Sequence, residues 1–513
     1  MIRKGCLLFA ATLFLSVAPT FGQDIYQMES LTTNDLNGTA RYVGMGGAMS
    51  ALGADISVMG TNPAGIGLYR RSEVVTSFSL MNLDKGEKFD GQNPTYLSFD
   101  NIGFVYSLPY EQTGTVRFFN FGFNYHKKKD FNQLLNIGQQ VPGASQTWQM
   151  ADLAYAWGEN YVPFAFQGYD TYLISPIGEA DENGYYPDWG YFNALSNRYR
   201  KAQSGSIQAF DFNFSCNIND MLYLGLTIGA YSVDMDNYSI YQESLDVNGS
   251  ANYSLVNNRS LHGSAFDVKI GTIVRPIEES PFRIGLSVST PTYYSLRNEF
   301  NSYIQALYGS DKLYRSNRMI EGNSYNLITP WKFNISLGHT IGSVLALGAE
   351  YEYADYSTCK VTYDDVDWYW GDYETDDNEL RRESRRHLKG VSTFKLGAEA
   401  RLSDNISLRA GYNHVSAPFG KSAYLNLFNN SPSVTYASES NYMNLSDINR
   451  YTCGLGYRTS HFYLDMAYQF AQQNGTFYPF NTQREYSNEP NQATPSKVNL
   501  DKHQVILTLG YKF

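Results

Sequence analysis

The sequence has few cysteines, prolines and charges for its length. It contains 4 cysteines and 17 prolines in 513 residues, and only 17% of its residues are charged. So few cysteines exclude the disulfide framework of a small secreted domain. The formal net charge is −11 at pH 7, so nucleic acid is not an expected partner.

Long apolar runs are also absent, except for one at the N-terminus. Leu7–Ala18 follows two basic residues and precedes the small residues Thr20 and Gly22. The run is too short to cross a bilayer as a helix. The pattern predicts a signal peptide over residues 1–22, with cleavage before Gln23 and export of the chain.

Aromatic residues and alternating strands are what the sequence has in abundance. Tyr and Phe account for 43 and 30 residues. After the signal peptide, segments of about ten residues alternate apolar and polar side chains, which is the period of a two-faced strand. Residues 394–402 are typical, since Phe394, Leu396 and Ala398 alternate with Lys395, Gly397 and Glu399. Alternation alone does not distinguish a soluble sandwich from a membrane barrel.

The lengths of the connections favour a membrane barrel. We count fourteen strands over residues 72–513, joined by turns of a few residues that alternate with longer loops such as 128–206 and 359–390. Short turns on one rim and long loops on the other are typical of outer-membrane barrels. The predicted fold is an all-β, 14-stranded antiparallel transmembrane barrel in the outer membrane of a Gram-negative bacterium.

The C-terminus ends on an aromatic residue. Val505, Leu507, Leu509 and Tyr511 alternate up to Phe513. This resembles the signal that barrel-assembly machinery reads on outer-membrane proteins, so that machinery is a predicted partner, together with membrane lipid.

Residues 38–67 differ from the strands and read GTARYVGMGGAMSALGADISVMGTNPAGIG. This segment resembles the N-terminal region of the FadL/TodX family of outer-membrane transporters of long-chain fatty acids and other hydrophobic compounds. The resemblance implies that residues 23–71 form a hatch inside a barrel of residues 72–513, and that the protein is a monomer. Small residues suit such a plug because they allow close backbone approach. The hatch is either a gate or a static stopper, and we assign its candidate residues as Gly44, Gly46, Gly47, Asn62, Pro63, Ala64 and Gly65.

Two further sets of residues are candidates for handling a ligand. The longest loop, 128–206, holds a dense apolar set that either binds ligand or packs the loop internally. The third strand places three small or polar residues toward the lumen, where the family is described as opening sideways. The ligand-binding candidates are Phe131, Leu134, Trp148, Leu153, Trp157, Phe164 and Phe166, and the lateral-opening candidates are Asn120, Gly122 and Asn124.

The predicted function is passive uptake of hydrophobic small molecules, with exit either sideways or into the periplasm. A general or haem-related porin is the alternative. An outer-membrane enzyme is less favoured, because the seven histidines are scattered and the sequence has neither a GxSxG nor an HExxH motif. We expect no cofactor and no metal. The arginines that follow the acidic run 364–379 either contact lipopolysaccharide phosphates or neutralise that run: Arg381, Arg382, Arg385 and Arg386.

Overall fold

The computed structural model describes residues 24–110, 115–158, 160, 162–181, 186–247, 250–367, 371–429, 431, 438–481, 491 and 493–513. The predicted signal peptide lies outside the described residues, as does most of the turn after Tyr110. None of the described helices is long and apolar enough to cross a bilayer.

Alternating sequence produces strands along most of the chain. In chain order they are β1 Glu73–Leu83, β2 Thr95–Pro109, β3 Val116–Asp130, β4 Gln133–Ala144, β5 Ser175–Ile177, β6 Asp188–Gly190, β7 Ala194–Ile218, β8 Leu222–Leu245, β9 Ala251–Val274, β10 Arg283–Ser289, β11 Tyr293–Tyr308, β12 Lys312–Arg315, β13 Met319–Ile328, β14 Lys332–Ile341, β15 Leu345–Asp355, β16 Lys360–Asp367, β17 Gly371–Asp376, β18 Gly390–Arg401, β19 Ile406–Val415, β20 Tyr442–Arg458, β21 Phe462–Tyr478, β22 Ser496–Asn499 and β23 Lys502–Lys512.

All of these strands except β5 and β6 close into one antiparallel barrel, whereas β5 and β6 pair only with each other. The barrel closes because β23 pairs with β1 from Glu73↔Lys512 to Leu83↔Lys502. Five barrel strands consist of two segments in line, namely β3 with β4, β10 with β11, β14 with β13, β15 with β16, and β22 with β23. β12 pairs only with β11 and β17 only with β16, so neither counts as a separate barrel strand. Counted this way, the barrel has fourteen strands, which confirms the predicted fold.

The outer surface carries a band of exposed apolar side chains. On β8 the exposed residues are Leu224, Leu226 and Ile228, and on β23 they are Val505, Leu507 and Leu509. The residues that lie between them on the same strands face the lumen and are buried. Fully paired strands leave no free edge inside lipid, and an outward apolar band is what a bilayer requires. The barrel therefore spans a membrane, with its short turns at the periplasmic rim.

Residues 24–71 form short helices instead of strands. These are α1 (Ile25–Thr32), α2 (Ala40–Gly44) and the 3-10 helices Ile56–Gly60 and Pro63–Leu68. A polar side chain caps the start of each by accepting a backbone N–H bond, and these caps are Asp24, Thr39, Asp55 and Asn62. Such caps satisfy N–H groups that a short helix leaves unpaired. The remaining helices are α3 (Gln146–Trp157), α4 (Pro163–Asp170), the 3-10 turn Tyr356–Thr358 and α5 (Asn378–His387), all above the apolar band.

Glycines on the inner wall of the barrel allow the backbone of the N-terminal segment to lie close against it. Ten strands each place one glycine on the lumen side, where a Cβ would lie within 3.5 Å of an atom of residues 44–63. A Cβ on Gly348 would lie 2.0 Å from the Ala48 carbonyl oxygen, and one on Gly411 would lie 2.2 Å from the Gly46 nitrogen. We call these residues the glycine ring: Gly103, Gly122, Gly225, Gly271, Gly285, Gly338, Gly348, Gly397, Gly411 and Gly454.

A larger side chain in the glycine ring should displace the N-terminal segment from the barrel wall. Gly348→Val would place its Cβ on the Ala48 carbonyl, so we expect destabilisation of about 1–3 kcal/mol from overpacking. The measurement is the thermal unfolding temperature in detergent. Unfolding is detected by the change in the mobility of the heated barrel in gel electrophoresis. Gly322→Val is the matched control, because the nearest atom to its Cβ is 3.6 Å away. Equal unfolding temperatures for both variants would contradict the contact.

Candidate functional site

The hatch candidates divide into residues that contact the wall and residues that shape the segment itself. Asn62 is fully buried, and its Nδ2 donates to the Thr272 carbonyl at 3.2 Å. The Pro63 carbonyl accepts from Asn213 Nδ2 at 3.2 Å. Gly44, Gly46 and Ala64 also lie against strand backbone, whereas Gly47 and Gly65 contact side chains and backbone within the segment.

An ion network attaches the same segment to three strands. Arg41 forms a two-pronged contact with Glu399, at 2.9 and 3.1 Å, and also donates to the Ala54 carbonyl. Glu399 accepts in addition from Arg409, which reaches Asp465 at 2.7 Å. Planar pairs of this kind fix geometry as well as charge. Residues 41–54 are therefore tied to β18, β19 and β21.

Two of the three lateral-opening candidates have side chains that hold this segment or the neighbouring strand. Asn120 donates to the Ile66 carbonyl at 2.7 Å. Asn124 bonds to Asn101 of β2. Gly122 faces the Met59 side chain. All three face the lumen as expected, and the pairing of β3 with β2 and β7 is continuous across them.

The pairing breaks further along the same strands. The ladder between β2 and β3 stops at Asn101↔His126, although β2 runs on to Thr95 and β3 to Asp130. On its other side, β3 shifts register against β7 between Lys127 and Lys129. We call this opening between residues 95–100 and 127–130 the strand split.

The N-terminal segment fills the strand split from inside. The Asp35 N–H donates to the Lys128 carbonyl at 3.1 Å, and the Asp130 N–H donates to the Asp35 carboxylate at 2.8 Å. Asn37 Nδ2 bridges the two strands, since it contacts both Asp100 Oδ1 and the Lys127 carbonyl at 3.1 Å. Residues 35–37 thus supply part of the pairing that β2 and β3 lack here.

A cavity of about 320 Å³ lies in the lumen behind the strand split. One side of it is aromatic. Tyr26 of α1 stacks on Phe419 with ring centroids 4.8 Å apart, and Tyr199 stacks on Phe477 at 5.1 Å. The apolar lining consists of Tyr26, Leu36, Met81, Phe131, Leu135, Tyr199, Met235, Phe419, Leu425, Tyr442, Met443, Leu445, Ile448, Ala471, Phe477 and Leu500.

Charged residues also line this cavity, among them Lys127, Lys201 and Arg450. Two of its six cations form ion pairs, Lys127 with Asp130 at 3.2 Å and Arg450 with Asp35 at 3.9 Å. No described carboxylate lies within ion-pair distance of Lys201. Burial raises the pKa of Glu29 of α1. The cavity therefore combines apolar side chains with Lys201, which forms no ion pair with a described carboxylate, although Glu439 acts on it at longer range.

The candidates from the longest loop lie in different places. Phe131 lines the cavity. Leu153 and Phe164 are fully buried in a core between the loop and the upper strands. Trp148 is buried, and its Nε1 donates to Asn193 at 2.9 Å. Leu134 packs on Leu83 and Ala202, and Trp157 and Phe166 are half-buried. Most of the loop set therefore packs the loop, as one of the two interpretations expected.

The arginines after the acidic run are largely paired within their own helix. Arg382 contacts Glu379, Arg386 contacts Glu383 at 3.3 Å, and Arg381 approaches Asp376 at 3.7 Å. These contacts support the interpretation that the arginines neutralise the acidic run.

Together the barrel, the inserted segment and the cavity define a class of protein: a membrane-spanning barrel of the outer-membrane type that is closed by its own N-terminal segment. No family model and no curated protein matches the chain. Solved structures do resemble it, with low sequence identity in the three described below.

Three of these structures illustrate the resemblance. A Pseudomonas aeruginosa FadL homologue is 13% identical, covers 94% of this chain and 99% of its own, and has a TM-score of 0.49. The Pseudomonas putida toluene transporter TodX is 12% identical over 93% and 99%, with a TM-score of 0.48. The CymD monoaromatic hydrocarbon channel is 11% identical over 93% and 97%, with a TM-score of 0.47.

Loss of the ion network should loosen the N-terminal segment. Arg41→Gln removes the bidentate contact with Glu399. Because hydrogen bonds between charged groups are lost, the attachment of the segment should weaken by about 1.5–3 kcal/mol. We expect faster hydrogen exchange of amides 38–60, measured by mass spectrometry, with unchanged exchange in the barrel strands. The control is Arg297→Gln, an exposed pair with Glu299 that should contribute little. If both variants exchange alike, the network does not hold the segment.

Proposed function

We propose that the protein carries hydrophobic small molecules passively across the outer membrane, through the lumen cavity and out by the strand split. The observation that supports this most is the position of an apolar cavity directly behind a break in the barrel wall. A ligand there would be sheltered from water on one side and would have lipid on the other.

The chemistry of the cavity suggests the kind of ligand. Its volume falls at the lower end of the range for small-molecule sites, which are mostly apolar with a few placed polar groups. Aromatic and aliphatic burial contributes about 25 cal/mol per Å², and Lys201 would attract a carboxylate. A fatty-acid-like amphiphile would contact both the apolar side chains and Lys201, whereas an aromatic hydrocarbon would contact only the apolar side chains. We therefore favour an amphiphile with an acyl chain and a carboxylate.

The N-terminal segment is the proposed gate. Residues 35–37 bond to both sides of the strand split and also line the cavity. A small displacement of these three residues would join the cavity to the membrane without moving the glycine ring contacts further along the segment. Exit toward the periplasm would require the whole segment to leave the ring. The lateral route therefore disturbs fewer contacts.

A disulfide across the strand split tests the route. Asp100→Cys with Lys127→Cys joins the first unpaired positions beyond Asn101↔His126. Uptake of labelled oleate by cells that lack their own fatty-acid transporter should fall about tenfold on oxidation, and it should recover on reduction. In this variant and its control, Cys216, Cys359 and Cys453 are replaced by serine, because these three native cysteines are free.

The control for that experiment is a disulfide elsewhere in the wall. Gln242→Cys with Ser254→Cys joins a paired, exposed position of β8 and β9. It should form without changing uptake. Uptake that is insensitive to the disulfide at the split would exclude the lateral route, and uptake that is absent from the reduced protein would exclude the transport proposal itself.

A second variant tests the cavity as the binding site. Phe131→Ala removes an aromatic wall, so affinity for a fluorescent fatty-acid analogue should weaken about tenfold, from roughly 1.5 kcal/mol of lost apolar contact. Phe166→Ala is the control, because Phe166 lies in α4 away from the cavity. Fluorescence titration of the purified barrels gives both affinities. A larger loss in Phe166→Ala would instead favour binding by the outer loop.

A further inference from the structure

A second cavity lies at the other end of the barrel, on the periplasmic side of the N-terminal segment. Its volume is about 640 Å³. The segment forms its roof through residues 52–55, and short turns such as 342–345 and 458–462 form its rim. We call it the periplasmic vestibule. It is separate from the cavity behind the strand split, and no residue lines both.

The vestibule is strongly basic although the protein is acidic overall. Seven cationic side chains line it against four carboxylates, while the whole chain carries a net charge of −11. The cations are Arg41, Arg71, Arg283, Arg401, Arg409, Arg458 and Lys512, and the carboxylates are Asp55, Glu73, Glu399 and Asp465.

The carboxylates are already engaged by other groups. Glu399 and Asp465 belong to the ion network with Arg41 and Arg409. Glu73 contacts Lys512 at 2.9 Å. Asp55 accepts from the Thr39 hydroxyl at 2.8 Å and caps the 3-10 helix that follows it. None of them is left to neutralise the other arginines.

Four arginines of the vestibule therefore have no carboxylate partner among the described residues. Arg71 donates to the carbonyls of Ser460 and Lys512. Arg283 donates to the Leu52 carbonyl at 3.0 Å, and its Nε is buried without a hydrogen-bond partner in the part of the chain that is described. Arg401 and Arg458 end β18 and β20 on the lumen side of the same rim. A carbonyl accepts a bond but leaves the guanidinium charge uncompensated.

We propose that the periplasmic vestibule binds an oxyanion headgroup, a carboxylate or a phosphate, through Arg283, Arg401 and Arg458. Guanidinium groups match both headgroups through paired N–H donors. Since Arg283 also supports the Leu52 carbonyl of the roof, a bound anion would compete with the N-terminal segment for the same donor. This proposal does not depend on the uptake route at the other end of the barrel.

The headgroup has two possible sources, a free amphiphile in the periplasm or an anionic phospholipid of the inner leaflet. For the first, decyl phosphate is titrated calorimetrically into the barrel held in nanodiscs of neutral phosphatidylcholine. For the second, the barrel is released from nanodiscs containing phosphatidylglycerol, and retained lipid is counted by native mass spectrometry. Binding in either arm supports the site and identifies its source, whereas binding in neither overturns it.

The variant is Arg401→Gln with Arg458→Gln. We expect binding in the positive arm to weaken about tenfold, since hydrogen bonds between charged groups are lost. The matched control is Arg275→Gln, a periplasmic arginine outside the vestibule that also donates only to carbonyls, those of Glu278 and Ser280. Equal weakening by the control, or none by the double variant, would overturn the proposal.

A test on the unaltered protein covers the case in which the double variant fails to fold. Attraction between an anion and uncompensated arginines is screened by salt. Binding to the wild-type barrel should therefore weaken as ionic strength rises from low to physiological. Binding that is independent of salt would contradict an oxyanion site.

Discussion

Contact between the backbone of the N-terminal segment and the backbone of the barrel wall is the constraint on which the rest of the structure depends. Where the backbone of a second chain segment lies against the wall at van der Waals distance, the wall residue at that point cannot carry a side chain. Ten strands meet this requirement with one glycine each, and residues 44–51 meet it with Gly44, Gly46 and Ala48. The plug and the wall are therefore one fitted unit rather than a stopper in a preformed pore.

This constraint also divides the lumen. Above the glycine ring, aromatic side chains of the strands and of α1 surround a cavity beside the strand split. Below it, arginines surround a vestibule that opens to the periplasm. The segment that separates them contacts both, through Asp35 and Asn37 at the strand split and through Leu52 at the vestibule. The segment therefore connects the two ends of the lumen, and its attachments are hydrogen bonds and ion pairs.

Sequence reasoning predicted the barrel well because strand alternation and loop lengths are local signals. Asn62 and Pro63 lie in the segment inside the lumen, and Asn120, Gly122 and Asn124 face the lumen, but the roles assigned to these residues stay predictions. Sequence reasoning missed the glycine ring, although isolated glycines at lumen-facing positions, such as Gly348 within an alternating strand, were a visible signal. It could not find the strand split or the cavity, because both depend on which distant strands meet. The role of the apolar residues in 128–206 could not be predicted, because internal packing of a loop and binding of a hydrophobic ligand both require apolar side chains.

The central claim is that the barrel is closed by its own N-terminal segment, and conductance in a planar bilayer tests it most directly. The full chain should show little or no steady conductance. A barrel lacking residues 24–71 and refolded in the same detergent should show a large, stable pore, because nothing else described in the lumen crosses it at the level of the glycine ring. A large steady pore in the full chain, or equal conductance in both, would contradict the account.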